Sequence, residues 1–443
     1  EYTMLRDNVR RLVLASATVG VFLTAGFNTS LAAPQGNNIT VRFATFNASL
    51  NRSVSGGLIT SLSTPDDPQG RAVAEIIQRV DPDVLLVNEF DYDTNGAGGT
   101  SLAAKYFQDN YLSVSQNGAS AVDYPYRRAF PSNTGIHTSS VVSGGLDLNK
   151  DGNIDDMPNQ GFPGFITYGD DSLGFGAFPG QFAFVVYSKH PIDEENIRTF
   201  QDFLWQDMPG ARLPIDPGTG QSFYTDEELA ILPLSSKNHA DVPIEIGNKV
   251  VHFLVSHPTP PVFDGPEDRN GTRNTDEIRF WADYVGTRGE GAYIVDDNGG
   301  MGGLGRNRRF VIAGDQNSDP FDGDSIAGAA QQLLDHPRIN TTETPSSQGG
   351  VDRALAQNRN NDTHIGDPAF DTADFSEENF GGPGNLRVDY VLPSRNLRIV
   401  DTGIFWPADD DPLSSLTGTG FPVVSSDHRL VWVDIDVPAG KKD

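Results

Sequence analysis

The chain has 443 residues, no cysteine, and 32 Lys and Arg against 60 Asp and Glu, a formal charge of −28. Without cysteine, disulfides, thiolate metal sites and a thiol nucleophile are excluded. So acidic a surface argues against a general polyanion binder, which needs a basic face; only Arg127-Arg128 and the basic run 306–309 offer one.

At the N-terminus, Arg6, Arg10 and Arg11 precede the apolar run 12–27 and the small residues Ser30-Leu31-Ala32-Ala33. This reads as a signal peptide over 1–33, with 1–3 as upstream translation before Met4 and cleavage after Ala32. A secreted or periplasmic protein is expected. The run is short for a membrane span and no other segment is longer, so no membrane span is expected. No internal repeat suggests a solenoid, and residues 34–440 read as one domain.

The first strand, Val41-Arg42-Phe43-Ala44-Thr45-Phe46, runs into Asn47. Val73, Ile76, Ile77 and Val80 repeat at helical spacing up to Asp81-Pro82-Asp83. A second strand, Val84-Leu85-Leu86-Val87, runs into Asn88-Glu89. Residues 147–156 match most of an EF-hand-type calcium loop, with Asp147, Asn149, Asp151, Asn153 and Asp155 as oxygen donors around Gly152. Pro158 stands where the closing Glu belongs, so Asp170 or Asp171 would have to complete the shell. A structural Ca²⁺ pinning a long insertion is expected there; a polar surface loop is the alternative.

Phe178-Pro179-Gly180-Gln181 precedes a strand over 182–187, and Lys237 and His239 lie before a hairpin that turns at Gly247-Asn248. Either Lys237 or His239 is a candidate to bind a substrate anion; a polar loop is the alternative. The strand 250–255 ends at Ser256-His257, with Arg269 and Arg273 behind it as possible cleft cations; a helix is expected over 276–287. Gly300-Met301-Gly302-Gly303-Leu304-Gly305 fits a dinucleotide pattern formally, but it precedes a strand and reads as a loop. That strand, Phe310-Val311-Ile312-Ala313, ends in Gly314-Asp315-Gln316-Asn317, and a helix is expected from Asp324 through Leu334. Asp389 interrupts the apolar run 387–392, where an unpaired carboxylate is costly. Ser425-Ser426-Asp427-His428 precedes a last strand.

Each polar residue has a plain alternative. Asn47 could end a strand, Glu89 could be solvated, His257 could lead into a loop, and Asp389 could pair with Arg387 or Arg429. Taken in order, however, Asn47, Glu89, His257, Gly-Asp-Gln-Asn at 314–317 and Ser-Asp-His at 426–428 resemble the signposts of the endonuclease/exonuclease/phosphatase superfamily.

The resemblance implies an α/β, four-layer sandwich: two packed mixed β-sheets flanked by helices, with long insertions near 91–180, 200–240, 288–308 and 335–385. It implies Glu89 as main metal ligand, with Asn47 beside it and Asp427 near the metal or nucleophile. Asp315 would position or deprotonate water, Asn317 and His257 would contact the phosphate, and Asp389 would hold His428. Arg269 is a weaker candidate for substrate contact. Relatives often carry Gln before the metal Glu; here Asn88 is one methylene shorter. The implied activity is Mg²⁺-, Mn²⁺- or Ca²⁺-dependent hydrolysis of a phosphate ester. A diester, nucleic acid among the candidates, is preferred to a monoester. A non-catalytic calcium-binding surface module is the rival class. It would leave these side chains scattered.

Overall fold

The unbroken apolar runs become strands that are covered on both faces. The computed structural model describes residues 38–93, 101–161, 164–357, 359–375, 382–419 and 423–439. The expected signal peptide, 1–33, lies outside these residues.

One six-stranded sheet is built from β1 (Ile39–Asn47), β2 (Val84–Asn88), β3 (Tyr126–Phe130), β4 (Phe184–Ser188), β12 (Arg398–Ile404) and β13 (Val431–Val437), in the order β12-β13-β1-β2-β4-β3. A five-stranded sheet holds β5 (Arg198–Thr199), β6 (His239–Ile246), β7 (Lys249–Ser256), β8 (Arg309–Asp315) and β11 (Asp389–Pro393), in the order β11-β8-β7-β6-β5. A small pair, β9 (Ala373–Phe375) and β10 (Gly384–Leu386), stands apart from both. Among the described residues, only β1–β2 and β7–β8 pair in parallel as neighbours in the two large sheets.

Side-chain alternation explains the layers. Val41, Phe43, Val84 and Leu86 meet Val242, Ile244, Phe253 and Val311 in one core between the sheets, where Phe43 and Phe253 pack edge to face at 5.3 Å. Ala44, Phe46, Leu85 and Val87 point the other way, onto the helix Pro68–Val80. Leu254, Phe310 and Ile312 similarly face the helix Arg269–Tyr284. Helix, sheet, sheet, helix: the expected four-layer sandwich is present.

Each flanking helix makes the crossover that a parallel strand pair requires. Consequently β1 and β2 end together, Asn47 opposite Asn88. The antiparallel β11 then sets its first residue, Asp389, opposite the last of β8, Asp315.

Three expectations change. The helix expected at 276–287 begins at Arg269. The helix expected at 324–334 shrinks to Gln331–Leu334, because Gly328, at φ of 90°, breaks the right-handed path between Asp324 and Gln331. The stretches read as insertions also contribute to the framework. The first contains β3, an edge strand of the large sheet, and the last contains β9 and β10. In the second, Phe203, Trp205 and Met208 join the core under the helix Arg269–Tyr284.

Candidate active site

The polar residues at the strand ends converge. Asn47 is fully buried at the end of β1, and its Nδ2 donates to Glu89 Oε1 at 3.1 Å and to Asp315 Oδ2 at 3.0 Å. One carboxamide thus joins residues from both sheets. His257 Nε2 and His428 Nε2 stand 3.4 and 3.6 Å from the same Asp315 oxygen. Asp315 Oδ1 accepts the Asn317 N–H at 2.8 Å, and the Asn317 amide donates to the Pro258 carbonyl at 3.1 Å. His428 Nδ1 lies 2.9 Å from Asp389 Oδ2. Glu89, His257, Asp315, Asn317, Asp427 and His428 line one cleft of about 560 Å³. The scatter expected of a non-catalytic module is not what the chain forms.

Backbone geometry aims two of these groups. Glu89 and Asn317 hold φ of 56° and 51°, a left-handed conformation that side-chain-bearing residues rarely adopt. Such strain at a strand end persists when the surroundings fix it, and it collects at functional sites.

Charge sorts the residues into roles. Burial pushes the Asp315 carboxyl up, but the His428 and His257 imidazoles and the Asn47 amide outweigh it and hold it below the usual carboxylate range. Burial disfavours the His428 cation, yet Asp389 and Asp315 on its two nitrogens keep it protonated well above the ordinary imidazole value. His257 goes the other way: burial, then the nearby Lys237 ammonium, bring it down to about 4. A neutral His257 therefore sits beside an imidazolium. Its Nδ1 is buried without a partner, and so is Asp389 Oδ1.

Asp315, Asp389 and His428 place ligand atoms within 4.8 Å of one another, the one such group among the described residues. Both His428 nitrogens already face carboxylates, so the proton on His428 serves as this group's cation. A divalent ion fits better at Glu89. The Glu89 and Asp427 carboxylates offer hard oxygen donors to the cleft, and burial, then the Asp427 charge, push the Glu89 carboxyl up to about 7.

Several partners carry no motif. Asn51 donates to Glu89 Oε2 at 2.8 Å, and Ser49 Oγ donates to Asp427 Oδ1 at 3.0 Å. Thr372 Oγ1 donates to Asp389 Oδ2 at 2.8 Å. Asn51 and Ser49 lie four and two residues beyond Asn47, the only clue the sequence offered. Asn88 does not hold Glu89. It bonds Thr45 Oγ1 at 3.2 Å and the Ser256 carbonyl at 3.3 Å, tying the sheets together, while Asn47 and Asn51 orient Glu89 instead.

The three weaker substrate candidates fall outside the cleft lining. His239 is 1% exposed, bonded to Ser235 Oγ and the Glu277 carbonyl at 3.0 Å each, and packed against Phe280 and Trp281. Arg269 opens the helix that starts earlier than expected and is ion-paired with Glu267. Lys237 is buried behind His257, its Nζ donating to the Pro258 carbonyl at 3.2 Å. There its charge adds to burial in lowering the His257 pKa.

In the loop 147–155, Asp147 Oδ1 and Oδ2 accept the N–H groups of Asp151 and Gly152 at 3.2 and 2.8 Å. Asn149 Oδ1 accepts from Asp151 at 3.0 Å, and Asp151 Oδ1 from Asn153 at 2.8 Å. Asp155 turns away, onto the Met157 N–H and the Gln160 amide at 3.1 and 2.8 Å.

Asp389→Asn tests the His428 pair. Loss of its strongest anion should lower the His428 pKa. Chemistry that needs the imidazolium is present below that pKa and lost as pH rises through it. The alkaline limb of kcat/KM should therefore move to lower pH, with kcat down about 10²-fold. A pH–rate profile on a chromogenic diester reads both.

A model described as "Endonuclease/Exonuclease/phosphatase family" matches residues 44–428. No curated protein matches the sequence. Among solved structures, the chain resembles an endonuclease/exonuclease/phosphatase from Beutenbergia cavernae, with 15% identity and TM-score 0.45 over 90% of this chain and 72% of that one. It resembles sphingomyelinase C from Streptomyces griseocarneus, with 15% identity and TM-score 0.41 over 89% and 99% of the two chains. It also resembles a beta toxin variant from Staphylococcus aureus with bound magnesium ions, with 13% identity and TM-score 0.40 over 89% and 99%. With the family model spanning every converging side chain from just before Asn47 to His428, this chain belongs to the endonuclease/exonuclease/phosphatase family, whose members are metal-dependent phosphoric ester hydrolases.

Proposed function

We propose that the chain is an exported phosphodiesterase that hydrolyses its substrate by in-line attack of water. The observation that carries this reading is Asp315 Oδ2, which Asn47, His257 and His428 surround beside the Glu89–Asp427 pair. Glu89, with Asp427 and Asn47, would hold the divalent ion. When bound, Mg²⁺ or Mn²⁺ (or Ca²⁺) supplies Lewis-acid neutralisation of the phosphoryl oxygens and leaving group.

The remaining work falls to this chain's own groups. Ionised at any physiological pH, Asp315 orients the water and accepts its proton. His428, held charged by Asp389, stabilises the added negative charge, and neutral His257 donates a hydrogen bond. The Asn317 amide has a second N–H to offer a phosphoryl oxygen.

Charge favours a diester over a monoester. The cleft lining includes six carboxylates, at Glu89, Asp315, Asp319, Asp324, Asp374 and Asp427, and a monoester dianion brings one more charge against them. Hydrolysis of bis(p-nitrophenyl) phosphate, suppressed by EDTA and at least tenfold faster than that of p-nitrophenyl phosphate, is the expected result. Faster monoester turnover would overturn the preference, and no metal-dependent turnover of either would overturn the function. Export rests on the basic-apolar-small pattern of 1–33. Secretion of a fusion carrying those residues, and its retention when they are removed, tests it.

A calcium ion in the loop 147–155 is a separate structural proposal. Its support is Asp171, 1% exposed, which accepts the Leu148 N–H at 2.7 Å with Oδ1 and leaves Oδ2 without a partner. Millimolar calcium is expected to raise the Tm relative to EGTA. The increment should vanish in Asp151→Ala, as read by calorimetry at fixed magnesium.

A further inference from the structure

Beyond the phosphate-binding floor, the cleft has an apolar wall, Pro260, Pro261, Val262 and Phe263, on the loop between β7 and the helix Arg269–Tyr284. Leu386 and Val388, from the segment leading into β11, line the same cleft. The loop is pinned at successive backbone atoms. The Pro258 carbonyl takes hydrogen bonds from Lys237 Nζ and Asn317 Nδ2 at 3.2 and 3.1 Å. The Thr259 N–H donates to Glu277 Oε2 at 2.6 Å, and its carbonyl accepts from Asn274 Nδ2 at 2.8 Å. Asn270 Nδ2 holds the Val262 carbonyl at 2.7 Å. At the tip of this braced segment Phe263 is 89% exposed, with φ of 66°. An aromatic ring presented to solvent on a left-handed backbone costs stability twice, through exposure and through strain. Such a feature at the mouth of a catalytic cleft points to contact with a ligand.

The charges near the wall tell against a nucleic-acid strand. A bound strand carries a phosphate at each nucleotide and needs a run of Lys or Arg to meet them. Among the described residues lining the cleft, Arg429 is the only Lys or Arg. Its guanidinium is 2% exposed, stacks on Trp406 at 4.2 Å, donates to the Ser426 and His428 carbonyls, and stands 3.8 Å from Asp374. Asp319 and Asp324 line the same cleft, as does Asp374, which is ion-paired with Arg353 at 2.7 Å. One phosphate is provided for, at the catalytic floor, and its surroundings are apolar or acidic.

Taking the phosphodiesterase reading as given, we infer that the substrate is a single phosphodiester with an uncharged apolar ester group. That group packs on Pro260, Pro261, Val262 and Phe263, and the acids around the cleft exclude polyanions. The wall selects substrates by burying hydrocarbon, so affinity should climb with the length of an alkyl ester. Full burial of each methylene is expected to tighten binding about threefold to fourfold.

Alkyl(methyl)phosphinates, whose two P–C bonds leave no ester to cleave, measure this from methyl to hexyl by calorimetry on the magnesium-loaded protein without any turnover. A steady tightening along the series is expected, with oligothymidylate binding more weakly than the hexyl compound at every salt concentration. In Phe263→Ser the dependence on chain length should flatten. It should persist in Phe321→Ser, whose ring is 63% exposed but outside the cleft lining. A flat wild-type series, or oligothymidylate binding tighter than the hexyl compound, would overturn the inference. So would equal slopes in wild type and Phe263→Ser. Because binding is read directly, the outcome stands apart from the function. Chain-length dependence without hydrolysis would defeat the phosphodiesterase reading alone, and hydrolysis of bis(p-nitrophenyl) phosphate with a flat series would defeat this inference alone.

Discussion

Asp315→Asn is expected to lower kcat on bis(p-nitrophenyl) phosphate by about 10³-fold while KM changes little, the range that loss of a positioned general base produces. The substitution is nearly isosteric, so its effect is chemical. It removes the anion that Asn47 and both imidazoles address, and it replaces an oxygen acceptor or its twin with an amide that cannot take a proton from water. Asp315 stays ionised to low pH because the His428 charge, His257 and Asn47 outweigh its burial. The wild-type enzyme should therefore show no acidic limb from this group in the usual assay range. His428 keeps Asp389 as its anion in the variant, so the fold has a charged partner for the imidazolium and the Tm should fall only modestly. Steady-state kinetics together with calorimetry separate the two effects. A variant with kcat within a few-fold of wild type would remove Asp315 from the reaction and with it the proposed mechanism.

The parts of this site visible in the sequence are those where a strand delivers a polar residue at its end. Asn47, Glu89, His257 and Asp315 each follow an apolar run, and the two parallel crossovers place those ends together. Asp389 was legible for another reason: a carboxylate in an apolar run needs a partner, and His428 is that partner at 2.9 Å. Asn51, Ser49 and Thr372 were not legible, because Asn, Ser and Thr in loops are common and only three-dimensional proximity gives these a task. His239 misled for the opposite reason. A histidine before a strand looks like chemistry, but the register of β6 turns it under Phe280 and Trp281, and burial lowers its pKa to about 4. Arg269 drew attention as a cation near His257, yet the early start of its helix takes it to Glu267. The helix expected from Asp324 is the remaining lesson. Gly328 holds φ of 90°, which a right-handed helix cannot contain, so the cap pair at Asp324-Ser325 starts no helix and the helical turn begins only at Gln331.

Glu89→Gln should abolish metal-dependent turnover, at least a 10³-fold loss in kcat/KM, and should abolish the effect of magnesium on stability. Both Glu89 carboxylate oxygens are held, Oε1 by Asn47 at 3.1 Å and Oε2 by Asn51 at 2.8 Å, so the group is aimed before any ion arrives. That preorganisation costs stability when no cation is bound. Burial, then the Asp427 charge, raise the Glu89 pKa from 4.5 to about 7. A folded-state pKa above the unfolded value means that the folded protein binds the proton more tightly. Stability from this group is then greatest below pH 4.5 and falls as pH rises toward about 7. In EDTA at pH 8 the Gln variant should therefore melt above wild type, and near pH 4 the difference should vanish. Saturating magnesium should raise the wild-type Tm by mass action and leave the variant's unchanged. Melting curves of both proteins at two pH values, with and without magnesium, give the full pattern. An equal magnesium-induced rise in the two proteins would move the ion away from Glu89. The buried Asp315, Asp389 and His428 group would then be the place to look for it.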